Sequence, residues 1–240
     1  MVSGLLLRGL IAGVLAGFLA AGFSFFVGEP PLERALAIEA AATEPDAAAP
    51  EIVSRQTQRG PGLFAAYIIY GAATGGFFGL AFVLSFGRSN DLDPKALAGV
   101  LAIAGFAALV LVPDLKYPAN PPGANEAAAI GARTALYFGL LAISLLAMIL
   151  AATLAPVFLA RLGPWNGVLA CAAVFVLIAA FAAAVLPAAD EVRTGFPASV
   201  LWNFRMASLG ARAVFWAALG FSYGALAEHW LKRMAHLRKA

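Results

Sequence analysis

Six long apolar runs constrain this chain more than any other feature: Gly4–Val27, Gly62–Phe86, Ala96–Val112, Thr134–Ala160, Asn166–Leu186 and Ser208–Ala227. Each is about 17–27 residues long, and about 20 helical residues span the hydrocarbon of a bilayer. No water is available there for backbone N–H and C=O groups. Each run must therefore be a helix, which pairs those groups internally. Valine and isoleucine are sparse and apolar residues do not alternate with polar ones, which excludes a transmembrane barrel. The chain is 62% hydrophobic and 12% charged, with a mean hydropathy of +0.86. A soluble domain is nearer half apolar and a quarter charged, so lipid is the solvent here. The expected fold is an all-α integral membrane protein, a six-transmembrane-helix bundle with short extracytoplasmic helices and loops. It forms a single polytopic domain over residues 1–240.

Six crossings put both termini on one side. The tail carries Lys232, Arg233, Arg238 and Lys239, which assigns that side to the cytoplasm. The inner connections are net basic, with Arg8, Arg88, Lys95 and Arg161, and the outer ones net acidic. The expected location is the bacterial inner membrane, multi-pass, with both termini cytoplasmic. Segment one reads as a retained anchor: its apolar stretch is long for a signal peptide, and only a weak cleavage site occurs near Ala20-Ala21. The outer loop 28–61 is long for a connection. It should hold a short amphipathic helix at Pro31–Glu39 and a polar helical lead at Glu51–Gln58. After Pro197, Ser199–Ser208 should lie along the interface with Trp202 and Phe204 before segment six turns inward. Trp165 and Trp230 mark the inner interface.

Segment one carries Gly9, Gly13 and Gly17, and segment two Gly71, Gly75 and Gly79, each at a spacing of four. Each triplet is a smooth stripe on one helix face. Such stripes let helix backbones approach closely where no hydrophobic effect drives them together. These two helices should pack tightly, on each other or on a partner.

Four prolines stiffen the stretch Pro113–Pro122, which should not continue the preceding helix. It also holds Asp114, Lys116, Tyr117, Pro118 and Asn120, with Arg133 following. Glu29 follows segment one, Asp190 and Glu191 follow segment five, and Arg205 precedes segment six. With this topology all face the same side. Two readings stand. The oxygen-bearing groups Glu29, Asp114, Asn120, Asp190 and Glu191 gather a hydrated divalent cation. Alternatively the charges pair, Asp114 with Arg133 and Glu191 with Arg205, and lock the loops.

Other chemistries lack their residues. No phosphate-binding glycine loop ends in Lys, and no HExxH, CxxC or CxxCH occurs. The lone Cys171 sits in an apolar run as a small packing residue. His229 and His236 share a face of the cytoplasmic tail, beside Lys232 and Arg233. No ionisable group lies at mid-membrane, which argues against a self-sufficient proton-coupled pump. The +3 net charge is scattered at helix ends and gives no nucleic-acid footprint. No catalytic constellation supports an enzyme.

Several motifs occur in order along nearly the whole chain. They are Leu5–Gly9 with Ala12-Gly13 and Ala16-Gly17, then Gly28-Glu29-Pro30-Pro31, then Val53-Ser54-Arg55 with Gln58-Arg59. Next come Leu115-Lys116-Tyr117-Pro118-Ala119-Asn120-Pro121-Pro122 and Arg133-Thr134-Ala135-Leu136-Tyr137-Phe138. The last are Phe196-Pro197-Ala198, Leu201-Trp202, Phe204-Arg205 and Ala207-Ser208-Leu209-Gly210. Together they resemble the cobalt transporter subunit family CbtA. Asp114 departs from the resemblance, standing where a larger apolar residue is expected. The resemblance implies Co²⁺ as a substrate, no tightly bound cofactor, and uptake tied to cobalamin supply. It also implies a small single-helix partner with a histidine-rich end. Oxygen ligands alone would select cobalt poorly, so that partner would supply what this chain lacks. Equally open is a non-transporting scaffold or assembly subunit of a larger membrane complex, since smooth, charge-free helices with glycine faces suit both.

Overall fold

The computed structural model describes residues 2–42, 52–87, 92–125, 130–188 and 192–237. Among these the chain is nearly all helical: α1 (Val2–Phe23), α2 (Glu29–Ala42), α3 (Arg55–Thr57), α4 (Leu63–Ser85), α5 (Pro94–Phe106), α6 (Val112–Lys116), α7 (Ile130–Val185) and α8 (Ala198–Leu237). No strand occurs among the described residues beyond a single bridge between Asn125 and Val192. Four helical runs are long and apolar enough to cross a membrane: Val2–Ala42, Arg55–Ser85, Pro94–Lys116 and Ile130–Val185. The last is two helices in one run. Gly163 has φ 80° and ψ 170°, and Pro164 follows it. A positive φ ends the first helix at no steric cost only for glycine, and proline suits the first position of the next. The segments are thus 130–162 and 164–185. α8 carries Arg205, Arg212 and Glu228, and it is not among the four.

Proline placement changes several expected boundaries. Segment one does not stop at Gly28. A π-helical turn, Ser24–Gly28, carries α1 into α2. The Glu29 amide bonds to the Ser24 carbonyl, five residues back, and Pro30 and Pro31 then fall in the first turn of α2. First-turn N–H groups have no partner within their own helix, so two missing ones cost little. The expected loop 28–61 is therefore helical at both ends, and the expected short helix at Pro31–Glu39 is part of this longer run. Pro61 lies in a second π turn, Gln58–Gly62, that leads into α4. A third, Ala107–Leu111, precedes Pro113. The helix consequently continues through Pro113 to Lys116, where the expectation was a break. It ends at Tyr117, the residue before Pro118, whose φ −125° and ψ 67° are not helical. Nor does α8 turn at Ser208: it is one helix from Ala198, so Ser199–Ser208 is no separate interfacial segment.

The chain divides into two compact units, Met1–Ile103 with Met206–Ala240, and Ala104–Arg205. In the first, α1 and α4 form the principal helix pair. Their glycine stripes meet face to face and antiparallel: Gly9 lies against Gly75 and Gly79, Gly13 against Gly71 and Gly75, Gly17 against Tyr67. A Cβ at Gly13 would lie 2.9 Å from the Gly75 Cα and closer still to the Gly71 carbonyl oxygen. Beside the glycines, α4 presents Phe78 and Phe82 to α8. Their rings sit 5.1 and 5.0 Å from the fully buried Tyr223 ring. At the far end of α8, Glu228 pairs with Lys95 at 2.8 Å and Lys232 at 3.0 Å. The hydrogen bond from Lys95, then that from Lys232, holds the Glu228 carboxyl below its usual range. That contribution is present above the ordinary carboxylate pKa and is lost as pH falls through the lowered one.

In the second unit, small residues again mediate packing. Ala108 meets Ala147, Ala151 and Phe175, and Tyr117 meets Leu140 and Ala182. Large apolar side chains elsewhere point outward: Phe77 is 74% exposed, Phe181 72% and Phe221 82%. Such surfaces are stable only against lipid or a partner.

Replacing Gly13 with Val forces a branched side chain onto the α4 backbone. It should lower unfolding free energy by about 1–3 kcal/mol. Gly139→Ala, where a Cβ meets nothing within 4 Å, should be neutral or stabilising. Thermal unfolding of the purified variants in a lipid-like detergent measures both.

Candidate functional site

The loop after α6 begins at Tyr117 and is held from three sides within the second unit. Tyr117 is 1% exposed, and its hydroxyl donates to the Pro187 carbonyl at 2.6 Å. Arg133, near the start of α7, donates to the Pro118 carbonyl. Arg205, in α8, donates through Nε at 3.1 Å and Nη2 at 2.7 Å to Asn120 Oδ1. The other end of that amide donates to Asn125 Oδ1 at 2.6 Å. The Arg193 amide donates to the Ala124 carbonyl at 2.9 Å, closing the loop against the segment before α8. Lys116 Nζ lies 5.6 Å over the Tyr117 ring. Proline at 118, 121 and 122 removes three backbone donors, so among the described residues the loop bonds to itself only through Ala124 N–H to the Pro121 carbonyl and Asn120 to Asn125, and Arg133 reaches the Pro118 carbonyl from outside.

The first unit has its own polar ties. Glu29 is buried, 4% exposed, and paired with Arg55. One turn later Glu33 pairs with Arg59 at 2.7 Å, and the Arg59 guanidinium lies 5.4 Å over the Phe25 ring. Ser24 Oγ and the Tyr67 hydroxyl are 2.7 Å apart. These contacts fasten α2 and the π turn before it to the chain that enters α4.

Glu29 therefore lies in one unit, and Asp114 and Asn120 in the other. Asp114 is half-buried in α6. Asp190 and Glu191, with the proposed Glu191–Arg205 pair, lie outside the described residues. Among the described residues no three His, Cys, Asp or Glu side chains gather as a metal-binding group. A divalent cation approaching Glu29 or Asn120 would have to displace a guanidinium, which repels it as well as occupying the oxygen. The geometry makes these two residues ties. The Glu29–Arg55 and Glu33–Arg59 pairs were not anticipated, although matching four-residue spacings, 29/33 and 55/59, were there to be read. The Tyr117–Pro187 bond had no signal, because its acceptor is a backbone carbonyl.

A family model described as "probable cobalt transporter subunit (CbtA)" matches residues 2–228 of the chain. No curated protein and no solved structure matches it.

The Asn120–Arg205 contact should appear as coupling. In a double-mutant cycle with Asn120→Ala and Arg205→Ala, the two losses should fall short of additivity by about 1–3 kcal/mol. Purely additive unfolding free energies would mean the bond contributes nothing. Arg55→Met should destabilise more than Arg55→Met combined with Glu29→Gln, because the single change leaves a buried carboxylate unpaired.

Proposed function

The chain belongs to the CbtA family of probable cobalt transporter subunits, and on that premise we propose that it is the membrane subunit of a cobalt uptake system serving cobalamin supply. It crosses the bacterial inner membrane six times as one polytopic domain, with both termini in the cytoplasm. The crossings are α1, α4, α5, the two segments of α7, and α8. The match along residues 2–228 is the observation that carries this reading. Long helices with outward-facing apolar side chains support the membrane setting.

Co²⁺ is the substrate in this reading, and the chain holds no resident cofactor and catalyses no reaction. The outward-facing carboxylates, Asp114 with Asp190 and Glu191, raise the local cation concentration by their charge. Glu29, Asn120, Lys116, Tyr117, Pro118, Arg133 and Arg205 keep the outer connections in shape. Selective ligation falls to a small single-helix partner with a histidine-rich end, since imidazole suits a first-row metal better than carboxylate or amide oxygen alone.

A scaffold reading has one observation of its own: the oxygens of Glu29 and Asn120 are already taken by arginine. A scaffold copurifies with a larger complex and leaves cobalt flux to that complex.

Deleting the chain from its host should reduce cobalt accumulation, measured with radioactive Co²⁺ in trace amounts, and re-expression should restore it. Arg205→Gln should restore it only in part, because the loop loses its anchor. Undiminished accumulation after deletion, with the partner subunit present, would overturn the transport reading. In that case the proteins recovered on gentle purification identify the complex that the chain supports.

A further inference from the structure

We propose that the first unit binds the phosphate of an anionic phospholipid where the beginning of α1 meets the end of α8. Arg8 is flanked by exposed Leu7 and the buried glycine stripe, in an otherwise apolar helix. One guanidinium nitrogen, Nη1, donates to the Gly4 carbonyl at 2.7 Å. The guanidinium carbon lies 4.8 Å from the centroid of the Trp230 ring. That ring packs on the first turns of α1, so closely that a Cβ at Gly4 would strike it. Arg8 is thereby fixed at a definite position, with donor capacity left over.

The neighbours of Arg8 are donors too. Arg233, one turn beyond Trp230 on the same face of α8, acts on Arg8 electrostatically. The Tyr223 hydroxyl, two turns before Trp230, lies within the field of Arg8. It is completely enclosed and has no hydrogen-bond partner among the described residues. Glu228, the acid on this end of α8, is engaged by Lys95 and Lys232. Among the described residues neither Arg8 nor Arg233 forms an ion pair. Arg8, the Arg233 coupled to it and the enclosed Tyr223 hydroxyl within the field of Arg8 are donors without an anionic partner among the described residues.

A phosphodiester supplies the missing acceptors. Its lipid origin follows from the surroundings: exposed Val2 and Leu7 flank the cations, and tryptophan sits at the level of the headgroups. Basic pockets between transmembrane helices take anionic headgroups for the same physical reasons. Nothing in this site depends on the cargo the protein carries.

The test uses the full chain in detergent, titrated separately with phosphatidylglycerol, phosphatidylcholine and inorganic phosphate. Lipid retained in native mass spectrometry and the thermal midpoint are the two readouts. Phosphatidylglycerol should be retained and should raise the midpoint, while phosphatidylcholine and phosphate should do neither. Arg8→Gln and Arg233→Gln should each weaken phosphatidylglycerol binding about fivefold, and Arg8→Lys should keep most of it. Arg233 is exposed, so its variant folds even where changes at Arg8 disturb α1. Equal retention of both lipids, or unchanged affinity in both glutamine variants, would overturn the proposal. A full midpoint shift with phosphate alone would overturn the lipid assignment.

Discussion

The backbone contact between α1 and α4 is the constraint on which the first unit is built. In lipid, apolar side chains gain little by leaving one hydrocarbon environment for another, so close packing has to hold helices together. With Gly9 and Gly13 against Gly71, Gly75 and Gly79, and Gly17 against the Tyr67 backbone, main chain meets main chain along the centre of the seam. The same turns of α4 turn Phe78 and Phe82 toward Tyr223 on α8. One helix thus combines a flat face for one neighbour with an aromatic face for another. Any side chain added to the flat face would move both.

Proline shows where sequence reasoning stops. The apolar runs and the glycine spacing follow from composition and period, and they are readable because helical geometry repeats. The helical lead expected ahead of Gly62 is present from Arg55, whereas the runs ending near Gly28 and Val112 extend further than expected. Near each of these boundaries a π-helical turn lies at or beside a proline. The turn changes the hydrogen-bond register by one residue, and at Pro30, Pro31 and Pro113 the ring then occupies a first turn, where an N–H is dispensable. No residue pattern announces that change of register. By contrast the break at Gly163-Pro164 was legible, because a glycine that must adopt a positive φ stands directly before a proline.

The polar residues divide along similar lines. That Tyr117, Asn120, Arg133 and Arg205 belong to one working region was readable from their place in the family motifs. Their partners were not. Asn120 and Arg205 are 85 residues apart, and Tyr117 and Arg133 use backbone carbonyls, which carry no sequence signature. Of the candidate cation ligands, Asn120 is tied by Arg205 within the proline loop and Glu29 by Arg55 in the other unit.

The seam between α1 and α4 can be measured directly. In a Cys171→Ser background, Leu10→Cys and Gly76→Cys place two thiols at positions where a Gly76 Cβ would lie 3.4 Å from the Leu10 side chain. The shortest bifunctional thiol reagent should join them within one chain in native membranes. A control pair, Leu10→Cys with the outward-facing Ile69→Cys, should not react. Equal, low yields for both pairs would contradict the glycine seam and the packing of the first unit built on it.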